Sequence, residues 1–195
     1  MRILEKLLVV ANTSYSQLRV LLALLAARFD YNPSASHMPI ETWSSAQIEI
    51  NQVINIATTE PQYVIQEVVT EDYDELIERT PAMYPDSIVR IRGSVISFID
   101  RLDDEFTRSL QNIDPHGTEY VDRLKDEKGL YETICRSQAY FHRTQQDDPV
   151  ARVVMRRLEH IYSKVRIIAP FWRTSLMIIL SLTLSWRHWN KLQVL

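Results

Sequence analysis

The densest run of groups that could do chemistry is Asp103-Asp104-Glu105, three consecutive carboxylates of the kind that bind a divalent cation or share acid and base roles. Their context argues otherwise. They fall between Leu102 and Phe106, which belong to an apolar helical stripe, so the acids project on the polar side with Arg101 and Arg108 at hand for ion pairs. A metal site draws ligands from several elements, and one helical turn does not supply them. The expectation is a solvated face. The pair Asp147 and Asp148 reads as helix capping ahead of Pro149.

Nucleophilic and metal chemistry find little support elsewhere. Cys135 is the sole cysteine, so no internal disulfide forms and a reducing compartment is the simpler setting. A catalytic thiolate needs a base, and the nearest candidate, His142, lies seven residues on. Tyr131, Ile134 and Gln138 continue a helical pattern around the cysteine, which is expected to be a buried structural thiol. The histidines (His37, His116, His142, His160 and His188) are scattered without HExxH or paired spacing. No Gly-rich phosphate loop or nucleophile elbow occurs. No catalytic residue, metal, cofactor or small-molecule substrate is therefore expected.

Basic residues gather toward the C-terminal end, where Arg152, Arg156, Arg157 and Lys164 precede further bases and Glu159 is the sole acid. Two readings stand side by side for these four: contact with RNA or a partner, and a solvated helix face opposite a stripe of Val150, Val154 and Leu158. The net charge of -3 argues against a dedicated nucleic-acid-binding domain, since affinity for phosphate backbones comes from a basic excess.

The elements that position these groups read as helices. With 3 Gly and 8 Pro in 195 residues and 46% hydrophobic content, the chain is long enough for one globular core and poor in turn glycines. Leu4, Leu7, Leu8 and Ala11 open one helix, and Leu18, Leu21, Leu22, Leu25 and Phe29 define a second, forming a hairpin. After a proline-bearing loop over 31–39, Trp43, Ala46, Ile50, Val53, Ile54 and Ala57 mark a third, with Thr42 or Ser44 as caps. Residues 60–86 carry Pro61, Pro81 and Pro85 with one base, Arg79, among many acids, and are expected to be an acidic, loop-rich connector holding one short helix. Ile91, Val95, Phe98, Ile99, Leu102, Phe106, Leu110 and Ile113 predict a long helix whose start Gly93 weakens. Asp114 and Pro115 suit the start of the next, with a face of Val121, Leu124, Tyr131, Ile134 and Phe141. Asp148 and Pro149 repeat that device for a helix with Val150, Val153, Val154, Leu158, Ile161 and Tyr162 on one side. The architecture expected is all-α, an irregular α-solenoid of antiparallel TPR/HEAT-like hairpins, without a strict repeat period.

Two segments bear on targeting. Glu5 interrupts the first apolar segment and no small-residue cleavage site follows, so the N-terminus does not read as a signal peptide. The uncharged stretch Thr174 to Trp186 is shorter than the ~20 residues a membrane span needs. A membrane location is not expected.

The residues also carry a resemblance. Tyr31-Asn32-Pro33 with His37-Met38-Pro39 and Trp43, then Asp100-Arg101-Leu102-Asp103-Asp104-Glu105-Phe106-Thr107, then Asp114-Pro115-His116 with Glu119-Tyr120-Val121 and Leu124-Lys125-Asp126-Glu127, resemble the C subunit of eukaryotic translation initiation factor 3. The resemblance covers about residues 1–164. It implies a piece of the helical-repeat region, without the charged N-terminal extension or the C-terminal PCI domain of that protein. It further implies a cytoplasmic, non-catalytic scaffold segment, with other subunits of the complex, initiation factors, the small ribosomal subunit and RNA as partners. The alternative function is an RNA-contacting helical module using the basic C-terminal half. Residues 165–195 lack acids, hold Trp172, Trp186 and Trp189, and read as an off-family apolar and basic tail.

Overall fold

The computed structural model describes residues 2–30, 37–67 and 88–164. Among these are six helices and one small sheet: α1 (Arg2–Val10), α2 (Ser14–Asp30), α3 (Ile40–Thr59), β1 (Tyr63–Gln66), β2 (Val89–Arg92), α4 (Val95–Asn112), α5 (Thr118–Arg143) and α6 (Asp147–Lys164). The expectation of a mostly helical chain holds. Packing divides the chain into two compact units, Met1–Arg156 and Arg157–Leu195, the second described only through residue 164. The sequence readings for Thr174 to Trp186 and the rest of the tail lie outside the described residues, as does the short helix expected within the acidic connector.

The core of the first unit is built on α3. Trp43, Ala46, Ile50, Val53, Ile54 and Ala57 are all buried, as their three-and-four spacing requires, and α3 packs against α2, α4 and α5. Leu18, Leu21, Leu22, Leu25 and Phe29 of α2 face it, and Ile99, Leu102 and Phe106 of α4 complete the same cluster with Ile134 and Phe141 of α5. Helix α1 packs on α2 but buries no residue completely; Ile3, Leu7, Val9 and Val10 remain exposed.

Several local expectations are corrected. The chain before α4 is not helical: Val89–Arg92 pairs in parallel with Tyr63–Gln66, so the segment entered at residue 60 contains a strand and the long helix starts at Val95 rather than Ile91. The reason is non-local. A parallel pair requires a crossover of a dozen residues or more, and four-residue strands this far apart carry no periodic signal of their own. Gly93 is the joint, not a weak helix start. A Cβ there would lie 3.0 Å from Leu22 Cδ1 and 3.2 Å from Ile65 Cγ2, so a larger residue at this strand-to-helix turn would require those side chains to give by a few tenths of an ångström. Ser94 caps α4, its hydroxyl accepting from Ser97 N–H.

The other caps also move. Helix α3 begins at Ile40 behind Pro39, which places Thr42 and Ser44 inside its first turns. Asp114 stabilises a turn instead of a helix start: its carboxylate accepts from His116 N–H at 3.0 Å and its carbonyl from Gly117 N–H at 2.9 Å, and α5 then begins at Thr118. Val121 is 56% exposed, because the apolar side of α5 is carried by Leu130, Ile134 and Phe141 further on. On α6, Val153 of the expected apolar side is fully buried and Val150 half-buried, while Leu158 and Tyr162 of the same side are exposed. Cys135 is half-buried rather than fully enclosed, and His142 is exposed with Gln138 at 3.2 Å.

Candidate functional site: an arginine–carboxylate network on α4 and α6

The two charge clusters singled out in the sequence meet each other. Asp100, Asp103 and Asp104 fall at three- and four-residue spacing on α4, so their carboxylates share one face of the helix. Arg152 and Arg156 do the same on the first half of α6. Arg156 is the central cation: its Nε lies 3.1 Å from Asp100, its Nη1 3.3 Å from Asp103 and its Nη2 2.9 Å from Asp104. Arg152 also pairs with Asp100 and reaches Glu67 at 3.8 Å. Glu67 in turn accepts from the Ser94 hydroxyl at 2.5 Å, tying the end of β1 to the cap of α4.

This corrects the expectation of a solvated acidic face. Asp103 is only 4% exposed, and only Asp104 of the three carries an open side chain. Glu105 also turns inward, accepting the Met38 backbone N–H at 2.8 Å while Arg108 pairs with its other oxygen at 2.6 Å. The Arg101 guanidinium goes to Asp30 and the Phe29 carbonyl. Burial works against the charged form of Arg156, but the Asp100 hydrogen bond and the attraction of Asp104, Asp103 and Asp100 outweigh it and raise its pKa above the ordinary arginine value. The network therefore holds a permanent cation among three carboxylates. Of the remaining basic candidates, Arg157 is half-buried on α6 and Lys164 ends that helix, its side chain outside the described residues.

A second charged centre escaped sequence reading. Arg123 on α5 is 2% exposed, with its guanidinium carbon 4.0 Å from the Trp43 ring centroid and 4.9 Å from that of Phe106. Its Nε donates to Ser109 Oγ at 2.9 Å and its Nη1 to Asp126 at 2.8 Å. Desolvation lowers its pKa, and the Asp126 hydrogen bond and charge oppose that shift. Trp43 Nε1 donates to the Leu102 carbonyl at 2.8 Å, fixing the plane on which the guanidinium lies. A signal existed in the sequence: Arg123 stands seven residues before Leu130, on the same stripe as Ile134 and Phe141. Arg28 and Glu49 form a similar inter-helix pair, with Nε 2.9 and 2.8 Å from the two carboxylate oxygens.

These arrangements join helices. Among the described residues no group of three potential ligands is placed to hold a metal, and no helix is long and apolar enough to cross a membrane. The fold and its ion-paired junctions define a helical packing segment whose clustered charges are directed at one another.

Comparison with known proteins gives the family. The family model described as the N-terminus of eukaryotic translation initiation factor 3 subunit 8 matches residues 1–176, past the limit near Lys164 read from the sequence. The chain is 54% identical over 161 residues to the eukaryotic translation initiation factor 3 C subunit of Mycosarcoma maydis, covering 82% of this chain and 18% of that protein. It is 47% identical over 165 residues to the protein of the same name from Schizosaccharomyces pombe, covering 84% and 18%, and 44% identical over 172 residues to that of Neosartorya fischeri, covering 84% and 20%. The chain belongs to the family of the eukaryotic translation initiation factor 3 C subunit. It spans about a fifth of the length of these relatives.

Proposed function

We propose that the chain is a non-catalytic scaffold segment of the initiation factor 3 complex, contributing to assembly of the preinitiation complex on the small ribosomal subunit in the cytoplasm. The observation that carries this reading is the 54% identity to a protein named as the C subunit of that factor, over most of the chain. Other subunits of the complex are the first partners proposed, with initiation factors, the small ribosomal subunit and RNA beyond them. The carboxylates that could have done chemistry support a structural role, since Asp100 and Asp103 engage Arg156. Consecutive helices pack on one another through α1, α2 and α3 and again through α4 and α5, which supports reading the chain as part of an irregular solenoid of TPR/HEAT-like hairpins.

The alternative, an RNA-contacting module, would use Arg152, Arg156, Arg157 and Lys164. For Arg152 and Arg156 it would require exchanging carboxylate partners for phosphates. Affinity purification of the chain from cytoplasmic extract, with and without nuclease, separates the two. Recovery of initiation factor 3 subunits after nuclease treatment is expected. Loss of every such subunit on nuclease treatment would overturn the scaffold reading in favour of RNA contact.

A further inference from the structure

Among the described residues, one edge of the small parallel sheet has no backbone partner. Val89 N–H donates to the Gln62 carbonyl at 2.7 Å and Gly93 N–H to that of Gln66 at 2.9 Å, so the odd-numbered residues of β2 bond to β1. In a parallel ladder alternate residues bond to the same neighbour, and the N–H and C=O of Arg90 and Arg92 therefore point away from β1. The opposite edge is closed by side chains: Ile65 N–H donates to the Tyr140 hydroxyl at 3.0 Å, and the Ile65 carbonyl accepts from Gln146 Nε2 at 3.1 Å. Among the described residues nothing pairs with the backbone of Arg90 and Arg92, whose side chains are exposed and lack a carboxylate partner.

The side chains set what could join that edge. Val89 and Ile91 are buried on the inner face and Arg90 and Arg92 stand on the outer one. A strand laid beside β2 would place alternate residues next to the apolar pair and the others next to the arginines. A second copy of β2 would bring arginine against arginine, a repulsive cross-strand pair, whereas acidic residues would be attracted. We propose that the outer edge of β2 docks an extended segment of a partner protein with alternating acidic and apolar residues, added as a third strand. The mode supplies affinity through main-chain hydrogen bonds and selectivity through the side-chain alternation. The inference stands on the edge geometry and does not depend on the scaffold reading, so its failure would leave the co-purification result untouched.

The test uses the whole chain and a blocked peptide of about eight residues with a Val-Glu repeat, a length that spans a typical strand with margin. Binding is read by fluorescence anisotropy, and amide hydrogen exchange is followed at Arg90 and Arg92. Two further peptides are methylated on alternate backbone nitrogens, so that one keeps the donors facing β2 and the other loses them. The peptide is expected to slow exchange at both amides, and one methylated form should bind like the parent while the other loses about tenfold or more. The double variant Arg90→Glu, Arg92→Glu, with an unchanged circular dichroism spectrum, should weaken binding by a similar factor. Several results would overturn the proposal: no binding, equal binding of both methylated forms, equal binding of a Val-Lys repeat peptide, or Arg90 and Arg92 amides already protected in the free chain. So would a single-stranded RNA that protects the same arginines more strongly than the peptide.

Discussion

Replacing Asp103 by Asn should be clearly more damaging than the same change at Asp104, although the residues are neighbours in sequence and share the same cation. Asp103 is 4% exposed and its carboxylate lies 3.3 Å from Arg156 Nη1. A hydrogen bond to a charged group contributes about 1.5 to 3 kcal/mol. The separation is long for such a bond, and Arg156 keeps Asp100 and Asp104, so the effect falls at or just below the floor of that range: about 1 to 1.5 kcal/mol for Asp103→Asn. Asp104 is 52% exposed, and its pair is worth about 0.5 kcal/mol at most once solvent screening is included. Urea denaturation followed by far-ultraviolet circular dichroism measures both. A double-mutant cycle with Arg156→Met should give a coupling of about 1 kcal/mol for Asp103. Repeating the series in about 1 M salt should reduce the Asp104 effect more than the Asp103 effect, because a short Debye length screens exposed pairs first. An Asp104→Asn variant as damaging as Asp103→Asn, or a coupling indistinguishable from zero, would refute the placement of Asp103 inside the α4–α6 junction.

Two other perturbations read the core. Phe106→Ala should cost about 3 to 5 kcal/mol, since the ring is fully buried against Trp43, while Phe98→Ala should cost distinctly less, since that ring is half-buried and stacks on Phe29 at the edge; chemical denaturation ranks them. Arg123→Lys should destabilise by about 2 kcal/mol or more despite keeping the charge, because lysine cannot lie flat between Trp43 and Phe106 while reaching Ser109 and Asp126. Thermal melting together with tryptophan fluorescence checks that effect, and a neutral outcome would show that the guanidinium plane does not matter.

Periodicity alone determined much of this protein: the face of α3 from Trp43 to Ala57, that of α2 from Leu18 to Phe29 and that of the first turns of α4 from Val95 to Phe106 are buried as their spacing dictates. A helix repeats every 3.6 residues whatever its neighbours do, so its apolar side is written locally. The family was legible too, through blocks such as Asp100 to Thr107, whose residues serve packing and pairing. What the tertiary structure decided is where charges go and where short strands pair. Asp103 and Arg156 stand 53 positions apart, and Tyr63 meets Val89 across the connector. Neither pairing leaves a trace in local spacing. Arg123 sits on an apolar stripe because aromatic faces from two other helices receive it, and those faces come together only when α3, α4 and α5 have packed. An ion pair or a parallel strand pair is a relation between distant segments, and the fold must bring them together before either gains any energy from it.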